Sequence, residues 1–128
     1  MSMIRVLIVD DSTTIRAMLE EVLGHEHDIA LVGSAADAAT ALRLVRECAP
    51  DVATLDIAMP GPDGLALLDE IRGQTHAIML TSRGEAVAES FDRGAFGFFD
   101  KAHILTESKR LLRMVRAAAA GRHTRHAA

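Results

Sequence analysis

The sequence predicts an α/β protein, a three-layer sandwich in which one parallel five-stranded sheet is covered by helices on both faces. Short apolar runs alternate five times with stretches whose apolar residues recur at helical spacing. No linker or internal repeat interrupts this alternation, which is typical of parallel strands joined by right-handed crossovers. With 128 residues the chain can bury one core. We expect a single domain over residues 1–120 and a flexible tail over residues 121–128.

The first half of the chain predicts two strands and two helices. The first strand is a continuous apolar run broken only by Arg5, as in a strand buried on both faces. Ser12 and Thr13 are suitable caps for the first helix, and Pro50 fixes the end of the second. In chain order, we predict a strand at residues 4–9, a helix from 13 to 24, a strand at 29–32 and a helix from 37 to 49.

The second half predicts three further βα units. Asp63 can cap a short helix that closes near Gly73. The predicted elements are strands at residues 52–55, 77–80 and 96–99, and helices at 63–73, 85–93 and about 105–120. On the last helix, three apolar residues face inward and four basic residues face water: Leu111, Leu112 and Val115, against Lys109, Arg110, Arg113 and Arg116.

Composition excludes several classes of partner. A net charge of −4 and a pI near 5.8 give no basic surface for nucleic acid. The lone Cys48 excludes a disulfide framework and suits a reducing compartment. No apolar run approaches the roughly 20 residues of a membrane helix, so we expect no membrane insertion and a cytoplasmic location.

Polar residues follow four of the five predicted strands. Asp10 and Asp11 come after the first strand, Asp56 after the third, Thr81 after the fourth and Lys101 after the fifth. In an open α/β sheet, ligands bind in the crevice beyond the carboxyl ends of the strands. Alone, Asp10 and Asp11 would read as helix caps. Together, the five residues predict one site.

The residue types in this set indicate phosphoryl chemistry. Three carboxylates in contact repel each other, so one holds a proton or a cation lies among them. Such hard oxygen ligands suit Mg²⁺. A lysine and a hydroxyl supply the cation and the donor that a transferred phosphoryl group requires, and an aspartate can be the nucleophile that receives it.

The chain resembles, over about residues 3–117, the receiver domain of two-component response regulators, particularly the stand-alone chemotaxis (CheY-like) type. The matching pieces are Val9-Asp10-Asp11-Ser12, Leu55-Asp56-Ile57-Ala58-Met59-Pro60 with Asp63-Gly64, Leu80-Thr81-Ser82 and Phe99-Asp100-Lys101. The resemblance implies a flavodoxin-like (βα)5 fold. On pattern alone the Rossmann order also fits, although five strands favour the order 2-1-3-4-5.

The resemblance also implies a role for each site residue. It makes Asp56 the phosphoacceptor, with the side chain of Lys101 pairing with the phosphoryl group. The metal site would comprise Asp11 as a direct Mg²⁺ ligand, Asp10 binding through water, Asp56 itself and the backbone carbonyl of Ala58. Thr81 would be the switch hydroxyl that moves to meet the phosphoryl group.

Three features depart from the family pattern. Phe98 stands at the aromatic switch position and lacks a hydroxyl. Ala102 follows Lys101 where the family commonly has a proline, usually cis, so we expect a more mobile or differently shaped loop. The stretch from Thr81 to Gly94 is about two residues short, which predicts a shorter or shifted fourth helix. All three lie on the family's output surface.

The implied function is a signalling switch. A histidine kinase, histidine phosphotransfer protein or small acyl phosphate would donate to Asp56 with the help of Mg²⁺. The change would reach the surface formed by the fourth helix, fifth strand and fifth helix, which would bind an unknown output protein. We expect no attached output domain, a monomer or phosphorylation-dependent dimer, and no enzymatic activity beyond self-phosphorylation and self-dephosphorylation at Asp56.

The residues also bear on three alternative functions. An Mg²⁺-dependent phosphatase with an aspartyl-phosphate intermediate would need a second acid two residues beyond the nucleophile, where this chain has Ala58, and a cap that no insertion provides. A nucleotide or flavin binder would need glycines in the first βα turn, which reads Asp10-Asp11-Ser12-Thr13. A degenerate receiver would bind partners without phosphorylation, and Ala102 leaves that alternative open.

Overall fold

One parallel sheet forms the centre of the computed structural model, which describes residues 3–82, 86–121 and 126–127. Within these residues the strand order is β2-β1-β3-β4-β5-β6. The strands are β1 Ile4–Val9, β2 Ile29–Ala35, β3 Val52–Asp56, β4 His76–Thr81, β5 Gly97–Asp100 and β6 His126–Ala127. The predicted fold and the order 2-1-3-4-5 are confirmed. Because β1 pairs with both β2 and β3, the strand order reverses between β1 and β3.

Five α-helices connect the strands over the part of the chain that is described. They are α1 Thr13–Leu23, α2 Ala38–Cys48, α3 Gly64–Ile71, α4 Val87–Asp92 and α5 Ser108–Ala119, with a 3₁₀ turn at Lys101–His103. Ser12, Asp37 and Asp63 each accept a hydrogen bond from the backbone N–H three residues further on. These contacts satisfy donors that have no partner inside the helix. They confirm Ser12 and Asp63 as predicted caps, whereas Thr13 is the first residue of α1 and Asp37 was predicted only as the start of its helix.

Two apolar layers lie on the two faces of the sheet. Successive strand residues point to opposite faces, so Leu7 and Leu55 pack with α2 and α3, whereas Ile8 and Leu80 pack with α1 and α5. The strands β3 and β4 and the last four residues of β1 are almost wholly buried, as a sheet covered on both faces requires. Thr54 is a polar exception to this apolar pattern, and its buried hydroxyl has no hydrogen-bond partner among the described residues.

Several elements differ in length from the prediction. The β2 strand extends to Ala35 because its pairing with β1 continues past a register shift between Val6 and Leu7. The α5 helix begins at Ser108 rather than near residue 105, since the 3₁₀ turn and the turn after it occupy residues 101–107. The α4 helix has only 6 residues, in line with the short fourth helix expected. Residue 85, where it was predicted to start, lies outside the described residues.

The prediction that Arg110 and Arg116 face water holds only in part. The Arg110 side chain is 34% exposed and lies over the ring of Phe99. The Arg116 side chain is 39% exposed and is paired with two carboxylates. Its Nε and Nη2 atoms donate to Asp28 at 2.8 and 3.0 Å, and Nη2 also donates to Glu26 at 2.8 Å. The α5 helix packs beside α1, which brings the connection between α1 and β2 next to Arg116. Helical spacing places Arg116 at the edge of the solvent face, and these two carboxylates fix it there.

The C-terminal end of the chain adds a short strand to the sheet. In the predicted tail, residues 122–125 and 128 lie outside the described residues, and the backbone of β6 pairs in parallel with Gly97 and Phe98 of β5. That short strand was not predicted. Across the described helices, none is both long and apolar enough to cross a membrane.

Candidate functional site

Residues from four strands meet at the carboxyl edge of the sheet, where the strand order reverses. Asp10 follows β1, Asp56 ends β3, Thr81 ends β4 and Lys101 follows β5. Parallel pairing brings these ends level with each other, since Asp56 pairs with Leu80 and the next residue of β4, Thr81, pairs with Asp100. The structure therefore brings together residues that are up to 91 positions apart in the chain.

Lys101 joins two of the carboxylates. Its Nζ atom lies 2.8 Å from Oδ1 of Asp56 and 3.0 Å from Oδ2 of Asp10. The two carboxylates are 2% and 0% exposed, and the lysine side chain is 15% exposed. Charges removed from water to this extent are retained only when they are paired, so the three side chains form one electrostatic unit.

The acidic residues present a set of oxygen atoms that fits a divalent cation. One carboxylate oxygen each from Asp10, Asp11 and Asp56 lies within 4.8 Å of the other two. Oδ2 of Asp56 is buried and accepts no hydrogen bond from the described residues. A buried carboxylate oxygen without a partner is costly unless a proton or a cation meets it. Hard oxygen donors, one of them solvent-exposed on Asp11, are the donor set that Mg²⁺ prefers.

The same crowding sets the ionisation of the site. Burial raises the pKa of Asp56 to about 6, and the neighbouring Asp10 and Asp11 add to the rise while Lys101 opposes it. Burial lowers the pKa of Lys101, but its hydrogen bonds to Asp56 and Asp10 outweigh this effect and the net shift is upward. Burial is thus the largest cause of the raised pKa of Asp56, and the crowding of three carboxylates around a single ammonium group adds to it; two of these carboxylates raise the pKa of Lys101.

The connection from β3 to α3 holds Asp56 in place. The N–H of Ala58 donates to Oδ1 of Asp56 at 3.2 Å, and the N–H of Gly64 donates to the carbonyl of Ile57 at 3.0 Å. A Cβ atom on Gly64 would lie 2.1 Å from the carbonyl oxygen of Asp56. The first residue of α3 therefore packs directly against the Asp56 backbone, and only glycine fits there.

The connection from β1 to α1 holds Asp10 in a similar way. The N–H of Ser12 donates to Oδ1 of Asp10 at 2.8 Å, and the Nη1 atom of Arg16 donates to the Asp10 carbonyl at 2.7 Å. Sequence reasoning missed Arg16. The sequence feature that could have indicated this contact is the position of Arg16, four residues after the cap Ser12. At that spacing a helical side chain points back toward the connection between β1 and α1.

The remaining predicted residues lie around this centre. Thr81 is buried at the end of β4. Phe98 is half-buried, packs against the layer that contains α2 and α3, and meets Phe91 edge-on with ring centroids 6.4 Å apart. Ala58 is exposed and contacts Asp56 through its N–H group. The switch roles of Thr81 and Phe98, and the metal-binding role of the Ala58 carbonyl, stay predictions.

The residues after Lys101 form an ordered turn. In the 3₁₀ turn at Lys101–His103, Oδ1 of Asp100 accepts a hydrogen bond from the N–H of Ala102 at 2.8 Å. A proline at position 102 has no N–H to donate. With alanine at position 102, Asp100 can therefore order the turn that carries Lys101.

The family model described as response regulator receiver domain matches residues 6–116 of the chain. Among curated proteins, a protein-glutamate methylesterase/protein-glutamine glutaminase of Pseudomonas aeruginosa is 42% identical over 104 residues, covering 77% of this chain and 30% of that protein. A protein of the same name from Rhodopseudomonas palustris is 38% identical over 131 residues, covering 93% and 36% respectively. The chain thus spans only about a third of the length of these relatives.

Solved structures agree with this match. The response regulator domain of Thermotoga maritima CheB has a TM-score of 0.86 and 32% identity, with 92% of this chain and 97% of that chain covered. The signal receiver domain of the putative response regulator NarL from Mycobacterium tuberculosis has a TM-score of 0.86 and 30% identity, with 95% and 100% covered.

Proposed function

Because the chain belongs to the response regulator receiver domain family of two-component signalling, we propose that it is a phosphoacceptor switch whose acceptor is Asp56. The observation that carries this proposal is the contact of Lys101 with both Asp10 and Asp56 around a buried Asp56 oxygen that has no hydrogen-bond partner in the described residues. We assign this function to one receiver domain over residues 1–120.

Phosphorylation would use an ionised Asp56. A carboxylate oxygen attacks the phosphorus of a phosphohistidine or an acyl phosphate, a P–O bond forms, and the bond from phosphorus to the leaving group breaks with its electron pair on that group. With a pKa of about 6, Asp56 is about nine-tenths ionised near pH 7. Since Oδ1 already accepts from Lys101 and Ala58, the unpartnered Oδ2 is the nucleophile that this geometry favours.

The acidic residues would hold Mg²⁺ during this step. Asp11 is exposed and would bind it directly, Asp10 would bind through water, and Asp56 and the Ala58 carbonyl would complete the protein ligands. Bound Mg²⁺ would supply positive charge to the oxygens of the phosphoryl group. The ammonium of Lys101, already between Asp10 and Asp56, would turn from a carboxylate to a phosphoryl oxygen.

The consequence of phosphorylation would be a shift between two conformations. Thr81 would move toward the phosphoryl group and Phe98 would move into the space it leaves, which changes the surface of α4, β5 and α5. We propose a histidine kinase or histidine phosphotransfer protein as donor, an output protein that docks on that surface, and a cytoplasmic location. The methylesterase activity named for the relatives is not proposed for this chain; the chemistry that we propose is phosphorylation and dephosphorylation at Asp56.

Intact mass after incubation with acetyl phosphate and Mg²⁺ tests the proposal. Wild type should gain one phosphoryl group, and EDTA or Asp56→Asn should abolish the gain. Asp63→Asn is the matched control, because asparagine also caps a helix and the position lies in the loop that follows Asp56. An adduct of full occupancy on Asp56→Asn would refute Asp56 as acceptor. No adduct with acetyl phosphate or any kinase of a panel would favour the degenerate receiver instead.

A further inference from the structure

We propose that Arg16 is a positioning residue of the acidic site, which orients the peptide between Asp10 and Asp11 and thereby the exposed carboxylate of Asp11. The inference rests on the proposed function, because it concerns how the same residues bind Mg²⁺. It assigns to Arg16 no contact with the metal or with the phosphoryl group.

The contacts of Arg16 support this role. Its Nη1 atom donates to the Asp10 carbonyl at 2.7 Å, and its Nη2 atom lies 3.4 Å from Oγ1 of Thr13. Its own N–H bonds to the carbonyl of Ser12 at 3.0 Å, so the residue is fixed within the first turn of α1. The half-buried side chain therefore bends back over the connection between β1 and α1 instead of extending into water.

The carbonyl that Arg16 binds belongs to a rigid unit. A peptide group is planar, so fixing the oxygen of Asp10 also fixes the nitrogen of Asp11 and restricts where the Asp11 side chain can point. The other groups of Asp10 are held as well. Its N–H donates to Ala35, Oδ1 accepts from Ser12 and Oδ2 faces Lys101. Without Arg16, the Asp10 carbonyl would lose this partner, and the peptide that carries the Asp11 nitrogen would lose a restraint.

A simple charge effect would have the opposite sign. A guanidinium near a cation site repels the cation, so removing Arg16 would then tighten Mg²⁺ binding. A positioning role predicts weaker binding after removal, because the ligands lose their alignment. Arg16→Lys separates the two effects, since lysine keeps the charge but lacks the planar fork that reaches both the carbonyl and the hydroxyl.

The test is isothermal titration calorimetry of the chain with Mg²⁺, which does not require phosphorylation. It also requires no intrinsic fluorophore, which suits a chain without tryptophan or tyrosine. Arg16→Met should raise the Kd about tenfold, as for residues that orient metal ligands. Arg16→Lys should recover part of that loss. The matched control is Arg43→Met, which removes an exposed arginine of α2 paired with Glu47 and should leave the Kd unchanged.

Each outcome has one meaning. If wild type binds Mg²⁺ and Arg16→Met binds it equally or more tightly, Arg16 is not a positioning residue although the metal site stands. If wild type binds no Mg²⁺, the proposed metal site fails and this inference fails with it. Thermal unfolding without metal accompanies each titration. A lowered Tm with an unchanged Kd would show a structural role alone and would also overturn the proposal.

Discussion

The ammonium of Lys101 lies 2.8 Å from the carboxylate of Asp56, and it is the one cation that contacts the acidic residues through a side-chain pair in the described part of the chain. With Asp10, Asp11 and Asp56 all ionised, three negative charges face one positive charge. Without a bound cation, the site would therefore be short of positive charge. Protons, divalent cations and substitutions that remove a carboxylate should all stabilise it.

The pH dependence of stability should report this imbalance. The pKa of Asp56 rises from 3.8 to about 6 on folding, so its contribution to stability is complete below pH 4 and is lost as the pH rises through 6. In EDTA, Asp56→Asn should exceed wild type in free energy of unfolding by up to about 3 kcal/mol at pH 8, with little difference near pH 4. Denaturant titrations at several pH values measure this gap.

The control for that series is Glu70→Gln, which removes an exposed carboxylate of α3 and should follow wild type at every pH. Excess Mg²⁺ should narrow the gap at pH 8, because a ligand that binds only the folded state stabilises it. If the difference in free energy of unfolding between Asp56→Asn and wild type stays constant with pH, or grows toward pH 4, the assigned excess of negative charge at the site is contradicted.

Ala102→Pro should disturb the position of Lys101. Proline removes the N–H that donates to Asp100, and it disfavours helical backbone angles at Lys101. We expect a loss of about 1 kcal/mol in stability and slower phosphorylation by acetyl phosphate. Denaturant unfolding and timed mass spectrometry measure the two effects. Ala102→Ser keeps the N–H and should match wild type; equal behaviour of the proline variant would show that the turn does not place Lys101.

Gly64→Ala tests the packing of α3 against Asp56. The new Cβ would meet the Asp56 carbonyl oxygen at 2.1 Å, so backbone must shift, and we expect a loss of about 2 kcal/mol or more together with slower phosphorylation. Gly73→Ala is the matched control, because nothing lies within 4 Å of its Cβ position. It should be neutral or stabilising by about 0.5 kcal/mol. Similar Tm values for the two variants would argue against a rigid contact at Gly64.

Two buried threonines should respond in opposite directions to replacement by valine. The hydroxyl of Thr54 is buried and has no hydrogen-bond partner in the described part of the chain, whereas the Thr75 hydroxyl donates to the Pro50 carbonyl at 3.2 Å. Thr54→Val should raise the free energy of unfolding by about 1 kcal/mol, and Thr75→Val should lower it by about as much. Urea denaturation measures both. Destabilisation by Thr54→Val would mean that its hydroxyl is satisfied in solution.

Sequence periodicity and turn chemistry predicted the features that depend on local residues. Ser12 and Asp63 were identifiable as caps because a cap binds within three residues. The site was predictable because parallel strands align their carboxyl ends. The ion pair of Arg116 was not predictable, since its partner Asp28 lies 88 positions away and no helical or strand period relates the two residues. Arg16 was missed because its contact is with a backbone carbonyl, which a list of polar side chains omits.

The hydrogen bond from Gly64 to Ile57 closes the loop after β3 at its base. Beyond that closure Pro60, Gly61 and Pro62 are exposed, and apart from its chain neighbours no described residue lies within 4 Å of the Gly61 Cβ position. The loop tip is therefore a place for a reporter group. In a Cys48→Ser background, a dye attached at Pro62→Cys would lie close to Asp56. Its linker would remain outside the base of the loop, which the hydrogen bond from Gly64 to Ile57 closes. A chain without tryptophan would then have an optical probe of its own acidic site.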